Sequence, residues 1–161
     1  MANFDTIMNS TLMQKAFALD SLYSRVLGLI IPVIELGLKL WVANAFFKSG
    51  LTKIQSFETT IMLFEYEYSV PLLSPTLAAY MGTAAELMLP VLLVIGLMGR
   101  YAAMALFLFN IVAATSYPDI SPLGLSQHYL WGMALLMAAL YGPGKLSLDH
   151  FICTRCSGAN R

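Results

Sequence analysis

The chain has 161 residues, 58% of them hydrophobic and only 11% charged, against roughly 25% charged residues in soluble domains. Nine basic residues balance nine acidic ones, and the mean hydropathy is +0.72. Zero net charge gives no footing for nucleic acid, and a chain this small cannot bury so much apolar surface in a soluble core, so lipid must cover it.

In residues 1–25, Phe4, Ile7, Met8, Leu12, Ala16 and Leu19 fall roughly on one helical face. This predicts an amphipathic helix on the membrane surface. No apolar stretch followed by a small-residue cleavage site occurs there, so no removed signal peptide is expected. The first span is predicted over about Val26–Phe47, although Pro32, Glu35, Lys39 and Asn44 interrupt it. Glu35 and Lys39 are four residues apart and share a face, so they are expected to pair. The same face continues through Phe46 and Gly50 to Lys53, and a stripe of this kind must turn away from lipid.

Residues 48–75 hold three acids and are broken by Pro71 and Pro75. Phe57, Ile61 and Phe64 predict a short interfacial helix, followed by an extended segment with Tyr66 and Tyr68 at headgroup depth. The second span is predicted over Thr76–Leu97, the third over Tyr101–Ser116 with Asn110 as its main polar residue, and the fourth over His128–Tyr141. The expected fold is therefore all-α: a four-transmembrane-helix bundle over 26–149, an N-terminal amphipathic segment (1–25) and a polar tail (150–161). Lys15, Arg25, Arg100, Lys145, Arg155 and Arg161 share one side of such a bundle, and only Lys48 and Lys53 mark the other. The positive-inside rule then puts both termini in the cytoplasm.

Glu86 stands near the middle of the second span, and an acid at that depth is a functional-site hypothesis by default. Ala79, Gly82 and Thr83 on its face admit a neighbouring helix and turn it inward. Glu35 is expected at similar depth, with Lys39 a turn nearer the outer side and Lys53 beyond, so both lysines are candidate partners. The alternative is a polar pair that only locks helices together. His128, next to Tyr129 and Trp131, reads as an interfacial residue or as a hydrogen-bonding or proton-shuttling group. Cys153 and Cys156 form a C-x-x-C after His150, a spacing that suits a dithiol or half a metal site. No complete metal site is expected from them.

Four short signatures in order resemble the DoxX family of small four-helix bacterial membrane proteins: SGLTK at Ser49–Lys53, AAEL at Ala84–Leu87, IGLMGRYAA at Ile95–Ala103 and GPGKLSLD at Gly142–Asp149. HxxW at His128–Trp131 fits with them, and the resemblance covers roughly 25–152. The matching residues are Gly50, Lys53, Glu86, Gly96, Arg100, Gly144, Ser147 and Asp149. The resemblance implies a bacterial inner-membrane bundle with a loose link to quinone redox work, through related subunits of a thiosulfate:quinone oxidoreductase.

In the leading reading the protein is a redox or redox-accessory protein that meets membrane quinone. Glu86, Lys53 and His128 are then the candidate catalytic residues around an outward-opening cavity, and Lys39, Glu35 and Trp131 are candidate cofactor contacts. Gly50, Arg100, Ser147 and Asp149 are structural, the last three as a clamp in which Arg100 pairs with Asp149. Two other readings stay open. One is a non-enzymatic assembly subunit with a partner membrane subunit or a second copy of the chain. The other is a small transport or metal-handling protein, drawing on ten methionines and the tail.

Overall fold

The computed structural model describes residues 11–158, with side chains from 13 to 155. Residues 1–10 of the expected amphipathic segment lie outside the described residues. Among the described residues six helices follow one another: α1 (Thr11–Gln55), α2 (Phe57–Tyr66), α3 (Pro75–Ile95), α4 (Gly99–Ser116), α5 (Pro122–Tyr141) and α6 (Leu148–Gly158). No strand occurs among the described residues. Two compact units divide at Ile34 and Glu35. In the first, residues 11–34 are helical and expose Phe17, Leu22, Leu29 and Val33 among other apolar side chains. The second unit holds the bundle.

The helix boundaries follow local chemistry. Ser74 caps α3 by accepting a hydrogen bond from the Leu77 N–H, Pro75 occupies the first helical turn, and Ser121 with Pro122 repeats the arrangement at α5. A serine cap satisfies an orphan amide, and proline at the first position forfeits only a donor that has no partner there. α3 ends in Gly96, whose φ of +70° suits glycine in a left-handed C-cap. α1 runs to Gln55, eight residues past the expected end of the first span. It stops one residue before α2, where the Thr60 hydroxyl donates to the Lys53 carbonyl at 2.9 Å and fixes the turn.

The core draws on four helices. Val42 and Phe46 of α1, Leu93 of α3, Ala103 and Leu106 of α4, and Leu135 and Ala139 of α5 are buried together. A second cluster seats Phe64 of α2 on Ala78 and Ala79 of α3. Outside these, large apolar side chains such as Met88, Tyr101, Met133 and Leu140 are exposed, the distribution expected where lipid is the solvent. Among the described residues three helices are long and apolar enough to cross a membrane, namely α1, α3 and α4. α5 spans 20 residues but carries Ser126, Gln127 and His128 in its first turns.

At the end of the bundle where α3 meets α4, the expected clamp takes a different form. Asp149 does not pair with Arg100. Its carboxylate accepts hydrogen bonds from the Met98 and Gly99 N–H groups at 3.0 and 2.8 Å, because the first amides of a helix lack partners and attract negative charge. Arg100 packs beside Gly142 instead. Ser147, fully buried, donates to the Gly144 carbonyl and accepts from the His150 N–H, tying down the start of α6. Asp149→Ala should lower stability by about 1 kcal/mol, a typical cap loss. Thermal unfolding in detergent reads this directly, and an unchanged midpoint would show that the cap contributes nothing.

Candidate functional site

Gly50 lets α1 approach α3 closely: a Cβ there would lie 2.9–3.0 Å from Leu87 and Glu86. That approach brings Lys53, one turn further on, to Glu86. The ammonium donates to both carboxylate oxygens, at 2.7 and 2.9 Å, and to the Ser49 hydroxyl at 2.8 Å; Ser49 donates in turn to Glu86 at 3.2 Å. The pair is buried, with the two side chains 15% and 7% exposed. It is the one ion pair formed among the described residues. All three N–H groups of Lys53 are thus committed to protein partners, so with the pair intact the lysine has no donor left for a ligand oxygen.

The pair borders a cavity of about 380 Å³, within the roughly 300–1,000 Å³ of small-molecule sites. Its walls are mostly apolar and rich in rings: Phe46, Phe64, Tyr68, Phe109, Tyr117 and Trp131. Phe64 and Tyr68 stack at 4.7 Å, Tyr68 meets Tyr117 at 5.2 Å, and Phe46 meets Trp131 edge-on at 5.5 Å. The segment between α2 and α3 is held against this wall by the Ser69 N–H, which donates to the Ser116 carbonyl at 2.8 Å. Burial, and next the nearby Glu86 charge, hold the Tyr68 phenol above its ordinary range, so it remains a neutral O–H donor at physiological pH.

His128 also lines the cavity. Its Nδ1 lies 2.8 Å from Asn110 Oδ1, and Asn110 Nδ2 donates to the His128 carbonyl at 3.0 Å. Gly132 makes room for this: a Cβ there would stand 3.2 Å from Asn110 Nδ2. His128 sits edge-on to Trp131 at 5.0 Å. Two buried polar atoms of lining residues, Ser116 Oγ and Trp131 Nε1, have no hydrogen-bond partner among the described residues.

Lys53, Glu86, His128 and Trp131 therefore share one cavity, and Glu35 and Lys39 do not. Lys39 donates to the Pro143 carbonyl at 2.7 Å, and Glu35 lies against Gly144, at the turn between α5 and α6. Glu35 and Lys39 stay close enough to attract each other but make no direct ion pair, and neither lines the cavity that Glu86 borders. The reason is height: α1 continues as helix to Gln55, so the turn of α1 that faces Glu86 is at Gly50 rather than near Glu35. In the tail, Cys153 is exposed and the Cys156 side chain lies outside the described residues. No three His, Cys, Asp or Glu side chains gather to hold a metal among the described residues.

Four polar contributors escaped sequence reasoning: Ser49, Tyr68, Asn110 and Ser116. Ser49 was visible as the residue one turn before Lys53 in SGLTK. Asn110 was visible as a polar residue within an apolar span, but nothing in periodicity assigned it to His128.

Long apolar helices with lipid-like exposure of their large side chains, packed around a buried polar pair and a cavity, define an integral membrane protein of helical type. The sequence model of the DoxX family matches residues 34–118, beginning at the last residue of the first compact unit. The chain belongs to the DoxX family. The match includes SGLTK, AAEL and the α3–α4 turn, and it stops before His128 and GPGKLSLD. No curated protein and no solved structure matches the chain.

Proposed function

We propose that this is a four-span protein of the bacterial inner membrane, with both termini cytoplasmic. It binds the ring of a membrane quinone in the cavity lined by α1, α2, α3, α4 and α5 and serves as a redox or redox-accessory component. The observation that carries the reading is the cavity itself, apolar and ring-walled, with a buried ion pair on its border and an oriented histidine in its wall. An assembly subunit would need only packed polar pairs and no such space. α5 is taken as the fourth crossing because it lies in the four-helix core through Leu135 and Ala139. The six basic residues on one side support the orientation. The Lys53–Glu86–Ser49 group serves as a fixed polar border, with the spare lone pairs of the carboxylate and the Tyr68 hydroxyl available to a ligand.

The test is saturable quenching of tryptophan fluorescence by a short-chain ubiquinone, with the full chain in lipid nanodiscs. Trp131 lies in the cavity wall, and Trp41 packs against it at 6.5 Å. Ala113→Phe, which places a ring in the cavity, should weaken binding at least about tenfold, the equivalent of about 1.4 kcal/mol. Non-saturable quenching that is identical in Ala113→Phe would reduce the effect to partition into lipid and reject the site.

A further inference from the structure

The hydrogen bonds around His128 fix which form of ligand it accepts. A carbonyl oxygen only accepts, so the atom of Asn110 that faces the His128 carbonyl at 3.0 Å is the amide nitrogen. The amide oxygen then faces Nδ1 at 2.8 Å. That oxygen also only accepts, so Nδ1 carries the proton. Among the described residues no carboxylate bonds to the ring to hold a second proton, and in the neutral imidazole with Nδ1 protonated Nε2 is a bare acceptor. Nε2 has no partner among the described residues, although His128 lines the cavity. An acceptor in an apolar wall calls for a donor from the ligand.

We infer that the cavity selects the hydroxylated, reduced form of its ring ligand, with a ring hydroxyl donating to His128 Nε2. This rests on the reading of the cavity as a quinone site and adds a direction to it. A quinone presents only acceptors and leaves Nε2 unmatched, whereas a hydroquinone presents an O–H. Asn110 is the positioning residue: it sets the tautomer and does not itself meet the ligand.

The experiment compares three probes on the full chain in nanodiscs: a short-chain ubiquinone, its hydroquinone, and the dimethyl ether of that hydroquinone, which keeps the ring and lacks the donor. One hydrogen bond of ordinary strength predicts hydroquinone binding about five- to tenfold tighter than the other two. A tenfold preference raises the midpoint potential of the bound two-electron couple by about 30 mV. His128→Phe should bring the hydroquinone down to the affinity of the ether. Nitrogen NMR of labelled histidine reads the tautomer in the unaltered protein, so the inference stays testable if that variant fails to fold. Equal binding of all three probes, or an Nε2–H tautomer, overturns the inference and leaves the cavity as a quinone site. If none of the probes binds, both readings fall.

Discussion

Lys53→Met is expected to be among the most damaging single substitutions in the bundle. It removes the ammonium that holds both oxygens of Glu86 and leaves a carboxylate, 7% exposed, with the Ser49 hydroxyl as its remaining partner. Removing one member of a buried ion pair costs about 3–5 kcal/mol, because the remaining charge keeps its desolvation penalty. The peak of folded protein in detergent should shrink and its unfolding midpoint should fall well below that of the unaltered protein. The double variant Lys53→Met with Glu86→Leu should recover most of the loss, since apolar residues of similar size often replace a buried pair at little cost. A single variant as stable as the parent would mean that the pair does not form in the folded protein.

Gly96→Val is expected to be of comparable severity for a different reason. Gly96 has φ +70° at the end of α3, a region that β-branched residues avoid at a cost of about 1–3 kcal/mol. A Cβ there would also collide with the Ser147 side chain and stand 3.0 Å from its Cα. The Gly96 carbonyl accepts from the Asp149 N–H at 3.1 Å, so pushing Ser147 away also strains the contact that sets Asp149 over the start of α4. The expected result is a loss of stability larger than that of Asp149→Ala, read in the same thermal unfolding series. An effect equal to or smaller than that of Asp149→Ala would show that the tail is free to move away from the α3–α4 turn.

The helical character and the inward turn of Glu86 were legible because both depend on local chemistry. Small residues on the Glu86 face announced a close neighbour, but α5 begins at Pro122, six residues before the expected start at His128, because Ser121 caps it and Ser126 and Gln127 interrupt the apolar pattern in its first turns. Lys53 as the partner of Glu86 was legible only as one of two candidates. Periodicity assigns a face but not a height, and Lys39 and Lys53 share a face at separations of about 1.5 Å per residue, some 21 Å apart along α1. The length of α1 past Phe47 decides between them, and the polar residues Lys48, Ser49 and Lys53 disguised that continuation as an interface.

Charge pairing misled at Arg100 and Asp149 for a related reason. A carboxylate next to a helix start has backbone N–H groups to satisfy, and these compete with an exposed guanidinium that packs beside Gly142. Asn110 and His128 meet across α4 and α5, a contact that no pattern within either helix specifies.

The most direct test of the cavity as a ligand site is photolabelling with an azido-substituted short-chain quinone in nanodiscs, followed by peptide mapping. The label should fall within residues 49–53 and 109–131, be displaced by unlabelled quinone, and drop in Ala113→Phe. Label confined to the outer groove at Leu40, Phe47, Val91 and Ile95, and unaffected by competitor, would contradict the account.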